Sequence, residues 1–354
     1  MKQMGIVAYG AAIPKHKVAA STIAASQGKD GNAAEALGII SKTVPRVDED
    51  AITLATAAGQ MATERFIAAS GELDLIDTLF IGSESHPYAV KPSGTVVKEA
   101  LGLSDFLSMA DLQFACKAGS QALQISAAYV KAGMARATLA IGADTAQARP
   151  GDALEYTAAA GAAAFILAAD SAKQPTLANL LATTSVATDT PDFWRKPKES
   201  YPQHFGRFTG EPAYFKHVGL ATKRLLEQTK LAPSDLDYCI FHTPNGKFPQ
   251  AVAQQLGFSR EQLAPSLVVK EIGNTYAAAS LLALTAVLDI AQAGVKILLC
   301  SYGSGAGADA FLFETTAALP KAQQKFSNQL VKQIAALQEI DLATYHKMRE
   351  QNAH

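Results

Sequence analysis

At 354 residues, with 49 % hydrophobic and 18 % charged side chains, the chain is long enough for two core-sized units or one duplicated unit. Its net charge of −1 provides no global field for nucleic acid or an anionic membrane surface. Three cysteines, Cys116, Cys239 and Cys300, are too few and too scattered for a disulfide framework or a four-ligand zinc site, so a reducing, cytoplasmic setting is expected.

The opening "MKQMGIVAYGAAIP" is apolar only as far as Gly10 and Pro14. That is too short for a signal peptide or a membrane span. "AITLATAAGQMATERFIAAS" (51–70) carries apolar residues at helical spacing, and "TLFIGSE" (78–84) reads as a buried strand ending in polar residues. "GSQALQISAAYVKAG" is a second helix, and "ATLAIGAD" (137–144) and "GAAAFILAA" (161–169) are further strands. "YCIFHTP" (238–244), the helix "SLLALTAVLDIAQAG", "KILLCSYGSG" (296–305) and "DAFLFET" (309–315) continue the alternation. Several helices end at glycine. Strands alternating with helices predict a layered α/β architecture with buried, mostly parallel sheets. From Pro320 onward, lysine- and glutamine-rich sequence at helical spacing predicts an amphipathic helix packed on the body.

The chain repeats itself. Asp77 and Asp237 each open a strand with a polar end, followed by a proline-rich turn and then "LGLS" (101–104) or "LGFS" (256–259). Next come "DLQFACKAGSQALQ" and "KEIGNTYAAASLLA", each read as a short strand, a turn and a small-residue helix. Glu84 and His242 are 158 residues apart, and so are Cys116 and Asn274. Two halves packed about a pseudo-twofold axis would bring all four positions to one cleft.

Cys116 has three readings: a buried small hydrophobe, a metal ligand, or a nucleophile at a helix start. A helix beginning near Lys117 would turn unpaired N–H groups and its positive dipole end toward a thiolate. Cys239 and Cys300 lie inside apolar strands and read as inert. Glu84, at a strand's C-terminal end, is a candidate general base or a solvated loop carboxylate. His86 reads as a structural hydrogen-bonder. His242 is a candidate acid or a satisfied core histidine. Asn274 would cap a helix or hold a carbonyl through its amide. "SYGSGAGAD" (301–309) lacks a phosphate-loop pattern and suits a tight turn offering an N–H to an oxyanion.

"SESHPYAVKPSGT", "FACKAG", "IGADTAQARPGDALEYTAAAGAAAF", "TDTPDFWR", "GRFTGEPAYFKHV", "HTPNGKFP", "GNTY" and "GSGAGADAF" run in order over nearly the whole chain. Together they resemble 3-hydroxy-3-methylglutaryl-CoA (HMG-CoA) synthase in its shorter, archaeal-type form. The resemblance implies a thiolase-like α/β fold with two duplicated halves in a five-layered αβαβα architecture. It implies an N-terminal half at 1–170, a C-terminal half at 171–317 and a helical tail at 318–354. The implied activity, an acyl transfer of the mevalonate pathway, condenses acetyl-CoA with acetoacetyl-CoA and water to give HMG-CoA and CoA. In the family's pattern Cys116 is the acetylated nucleophile, Glu84 the general acid/base and His242 the group that polarises the acetoacetyl carbonyl. The N–H groups of Cys116 and near Ser304 form the oxyanion hole. Thr157, Thr209, Asn274 and Ser304 take substrate-contacting positions, and Lys247 contacts CoA. The pattern implies no metal and no cofactor beyond the two CoA thioester substrates. It implies a homodimer, and an assembly with an acetoacetyl-CoA thiolase and a small bridging protein. The chain departs from the pattern at Thr243, where the family carries glutamine, and at Ala251, where it carries arginine; Arg149 is the cation considered as a substitute for the latter. Two rival readings remain: a ketoacyl-synthase-III-like acyltransferase, which Glu84 with "HTPNGKFP" disfavours, and a non-catalytic scaffold subunit, which the retained Cys116 disfavours.

Overall fold

The computed structural model describes residues 3–28, 36–70, 72–145, 148–196, 198–326 and 329–352. One mixed sheet of nine strands runs through the molecule. In chain order its strands are β1 (Met4–Ala12), β2 (Ile76–Gly82), β3 (Ser108–Leu112), β4 (Ala137–Thr145), β5 (Ala160–Ala169), β6 (Ala178–Ala187), β7 (Tyr238–Phe241), β8 (Lys296–Cys300) and β9 (Gly307–Thr315). The helices that matter for the site are α1 (Ala51–Ser70), α2 (Ala118–Lys131), α3 (Phe215–Thr229), α4 (Ala279–Leu288) and α5 (Leu342–Asn352). The spatial order β7-β8-β9-β6-β1-β5-β4-β2-β3 contains the same pattern twice. β2 lies parallel to β4, which pairs antiparallel with β5, which pairs antiparallel with β1. β7, β8, β9 and β6 repeat those relations, and β1 meets β6 where the halves join.

Side-chain alternation builds the layers. Along β5, Phe165 and Leu167 face a central core, while Ala164 and Ile166 face an outer one beneath α1. Along β9, Phe311 and Phe313 face the same central core, and Ala310 and Leu312 a second outer core beneath α3. Leu123 of α2 and Leu281 and Leu284 of α4 fill the centre. The five layers are therefore α1, sheet, α2 with α4, sheet and α3. The thiolase-like reading holds.

Three local expectations are corrected. The sheet is mixed, with five antiparallel and three parallel pairings among the described residues, because each half turns back through two antiparallel neighbours after its parallel strands. The short strand expected before Asn274 is a single helical turn, Val269–Ile272. There the Lys270 carbonyl accepts from the Ile40 N–H and the Glu271 carbonyl from the Ser41 hydroxyl, so this backbone pairs outside the sheet. The tail is not one helix: it includes the helices Ala318–Gln323 and Leu330–Ala335, the strand Gln338–Glu339 and α5. Among the described residues no helix is long and apolar enough to cross a membrane.

Candidate active site

Cys116 sits at the turn into α2, with Lys117 in the cap position. Ala115 just before it adopts φ 42°, a left-handed conformation that turns the chain sharply into the helix. The glycine-rich segment after β8 lies directly on this turn. A Cβ at Gly303 would fall 2.5 Å from the Phe114 carbonyl oxygen and 2.7 Å from the Lys117 Cβ, so only glycine allows the approach. The turn is also tied to β9. Lys117 Nζ lies 3.0 Å from Asp309 Oδ2 in a fully buried ion pair, and Ser120 Oγ donates to the same oxygen at 2.7 Å. Asp309→Ala would leave the ammonium buried without its partner and is expected to cost about 3–5 kcal/mol, read as a lowered denaturation midpoint.

Glu84 reaches the cysteine from the loop after β2. Cys116 Sγ donates to Glu84 Oε1 at 3.3 Å. The loop is held from below by Asp144 at the end of β4. Asp144 Oδ1 accepts from Ser83 Oγ (2.7 Å), the Glu84 N–H (2.9 Å), the Ser85 N–H (3.0 Å) and Ser85 Oγ (2.6 Å). Its Oδ2 accepts from the Ala277 N–H of the second half at 2.7 Å, so one carboxylate bolts the halves together beneath Glu84. Burial, then the Asp144 charge, push Glu84 up to about 8. Burial and the Glu84 carboxylate raise the Cys116 thiol well above its usual range. This corrects the expectation of a resting thiolate. Desolvation and the facing Glu84 outweigh the helix terminus, and Cys116 rests as a thiol hydrogen-bonded to Glu84. His86 is structural as expected, with Nδ1 2.8 Å from Ser93 Oγ.

His242 follows β7 and is buried, with Nδ1 lacking a hydrogen-bond partner. Burial lowers it to about 3, so its imidazole is neutral. Its ring lies 6.3 Å from that of Tyr302, whose phenol is raised by burial, by Asp192 and, to a smaller extent, by Cys116. The site thus continues from the cysteine to the histidine across Tyr302. Asp192 organises this side: it accepts from the Tyr302 hydroxyl at 2.7 Å and the Gly305 N–H at 2.8 Å, and its carbonyl accepts from Thr209 Oγ1 at 3.2 Å. Ser304 lies half-buried between Tyr302 and Gly305 in the same segment.

Asn274 and Thr157 are brought together. The Asn274 N–H donates to the Thr157 carbonyl at 2.7 Å, and the Asn274 side-chain oxygen accepts from the Tyr276 N–H at 2.9 Å. Tyr276 packs with Cys116, Ala148 and Ala158 in one apolar cluster. Lys247 stands apart, exposed at the cap of the helix Phe248–Leu256. Thr243 is buried beside His242, Ala251 lies in the first turns of that helix and Arg149 is exposed. A cavity of about 630 Å³ between α1 and residues 318–326 touches none of these residues.

Asp144, Asp192, Tyr276 and Tyr302 were missed by sequence reasoning. A signal for two of them was present: Asp144 and Tyr302 also stand 158 residues apart, each closing the strand after its half's central helix. Arg195 was missed as well; its charge partly opposes the rise of the Glu84 pKa.

The model described as 3-oxoacyl-[acyl-carrier-protein (ACP)] synthase III C terminal matches residues 226–315. The chain is 48 % identical to the hydroxymethylglutaryl-CoA synthase of Archaeoglobus fulgidus, over 98 % of both chains. It is 49 % identical to that of Methanopyrus kandleri, over 92 % of this chain and 91 % of the relative. A solved structure of an HMG-CoA synthase complexed with CoA superposes with a TM-score of 0.87 at 22 % identity, covering 98 % of this chain and 90 % of that one.

Proposed function

The chain belongs to the hydroxymethylglutaryl-CoA synthase family, and on that premise we propose that Cys116, Glu84 and His242 carry out the family's condensation of acetyl-CoA with acetoacetyl-CoA and water. The observation that best supports this reading is the 3.3 Å contact between Cys116 Sγ and Glu84 Oε1, a nucleophile at a helix start and a base on a strand-end loop meeting in a part-buried site.

Acetyl transfer comes first. As acetyl-CoA enters, the Cys116 proton passes to Glu84, and the sulfur attacks the thioester carbonyl. The N–H groups of Cys116 and Ser304 stabilise the oxyanion. CoA leaves with a proton, and Glu84 returns to the carboxylate. The acetyl-thioester keeps its α-hydrogens acidic enough for a positioned carboxylate, and Glu84 then takes a methyl proton. The resulting carbanion attacks the ketone of acetoacetyl-CoA. Neutral His242 gives its N–H proton to that ketone oxygen as the hydroxyl forms, and the proton held by Glu84 replaces it by way of solvent, which returns Glu84 to the carboxylate. Asn274, Thr157, Thr209 and Ser304 orient the acyl groups, and Lys247 meets the CoA arm. Water finally releases HMG-CoA from the sulfur. The sequence is ping-pong and uses no cofactor beyond the two thioesters.

The test is incubation of the purified protein with acetyl-CoA alone and then with acetoacetyl-CoA. Acetyl on Cys116 by intact mass, followed by HMG-CoA on addition of the second substrate, is the expected result. A protein that never acetylates refutes the reading. His242→Ala is expected to acetylate at the parent rate while condensation falls by about 10²–10³-fold, as for loss of one oxyanion donor. The pH profile of condensation follows from Glu84. Its raised pKa means that the basic form is lost as pH falls, so the rate should drop about tenfold per unit below an apparent value near 8 that belongs to the Glu84–Asp144 pair.

We further propose a cytoplasmic homodimer. The outer edge of β3 carries no partner strand among the described residues, and Phe106 beside it is 93 % exposed, which suits pairing with a second copy. Residues 1–170 and 171–317 then form the two halves, with 318–354 as a tail, and an assembly with a thiolase and a small bridging protein is part of the same reading.

A further inference from the structure

We propose that the cavity of about 630 Å³ between α1 and the helix Ala318–Gln323 binds a small amphipathic carboxylate, an apolar chain ending in one negative charge. This site stands apart from the condensation site and does not rest on it, because none of the residues assigned to that reaction lines the cavity.

The volume falls within the roughly 300–1,000 Å³ of small-molecule pockets, which favour junctions between folded units. Such a junction lies here: α1 packs on the first half, and the helix Ala318–Gln323 follows β9 of the second. The inner end is apolar, with Val7 and Leu177 buried and Met61, Pro175, Ala322 and Phe326 beside them. Both walls are tied down. Gln323 Nε2 donates to the Leu288 carbonyl at 2.6 Å and the Ala291 carbonyl at 3.0 Å, which fixes the tail helix to the end of α4. Further along, the Leu330 N–H donates to Asp289 Oδ2 at 2.9 Å, and Asp289 Oδ1 accepts from the Tyr9 hydroxyl at 2.9 Å. On the α1 side, Arg65 Nη1 donates to the Tyr9 carbonyl at 2.7 Å, and its guanidinium carbon lies 3.9 Å from the centre of the Phe326 ring. A cavity held in this way exists before its ligand arrives, so binding loses little to ordering.

Charge selects the occupant. The described lining residues include the cations Arg65, Lys321 and Lys325 and one carboxylate, Glu64, which accepts from Gln60 Nε2 at 2.9 Å. Lys321 and Lys325 are exposed and make no ion pair among the described residues. Their stems can lie along the apolar wall while the ammonium groups reach the open end. A bound chain would cover Val7 and Leu177, and its head group would meet the two lysines. Glu64 in the same lining opposes a second negative charge, so a carboxylate suits the cavity better than a phosphate dianion.

The test is equilibrium dialysis of the full chain against radiolabelled decanoate, at concentrations where decanoate is monomeric. One decanoate per chain is expected, with a Kd on the order of 100 µM. Lys321→Glu combined with Lys325→Glu should weaken binding about tenfold or more. Ala68→Trp, which fills the cavity from the exposed face of α1, should abolish saturable binding. The thermal midpoint of each variant reports that it is folded. Decanol and decyl phosphate, added as competitors, should each displace the label about tenfold less well than unlabelled decanoate. No saturable binding to the parent, parent-like binding in both folded variants, or either competitor matching decanoate overturns the proposal.

Discussion

Cys116→Ser is expected to form no acetyl-enzyme and to lower HMG-CoA formation by about 10⁴-fold or more, to the level left when a nucleophile is removed and binding groups remain. The reason lies in proton affinities. In the parent, Glu84 is raised to about 8 and faces a thiol that is itself raised by burial and by the Glu84 charge. A thiol is even so a far stronger acid than an alcohol in the same place, and the approach of an acyl carbonyl favours its ionisation. A serine hydroxyl is far less acidic, and Glu84 is too weak a base to ionise it. An oxyester formed slowly would also hold its α-hydrogens less acidic than a thioester does, so the second step would suffer too. Intact mass after incubation with acetyl-CoA reads the first effect directly. A serine variant that acetylates at a rate near the parent's would remove Cys116 from the mechanism.

Glu84→Ala is expected to separate the two chemical steps. Acetylation should slow but continue, because water can take the thiol proton in place of Glu84, while condensation should fall by about 10³–10⁴-fold, the upper range for a lost general base. Glu84→Gln adds a second readout. Its neutral amide keeps the shape but takes away the charge that helps raise the Cys116 thiol. The sign is plain: above pH 8, where Glu84 is ionised in the parent, removing that negative charge lowers the thiol pKa, so alkylation of Cys116 there should speed up even as condensation stops. A purely structural role for Glu84 would not give opposite changes in thiol reactivity and turnover. Parent-like turnover of Glu84→Ala would show that another group takes the methyl proton.

The repeat explains why so much of the site was legible in the amino-acid sequence. Glu84, His242, Cys116 and Asn274 are paired by an offset that comes from duplication of a folding unit, and polar residues closing apolar strands are easily seen. Less legible was the support beneath them. Asp144 reads locally as the polar end of "IGAD", and nothing near it in the chain shows that it will accept hydrogen bonds from Ser83, the backbone at Glu84 and the second half's Ala277 at once. Tyr345 and Arg349 lie in a stretch that reads as a solvated helix, yet they line a pocket whose other wall begins at Lys42.

By itself the sequence determined the alternation of strands and helices and the doubling, which follow from local periodicity and residue type. Strand and helix ends single out Cys116, Glu84 and His242 as candidates, and their proposed roles come from the family the motifs resemble. The tertiary structure alone decided the direction of strand pairing, the protonation of the cysteine and the pocket between Lys42 and the tail. Pairing direction depends on which strands become neighbours, and a thiol's charge state on what is buried opposite it. A cavity exists only where segments hundreds of residues apart come to rest against one another.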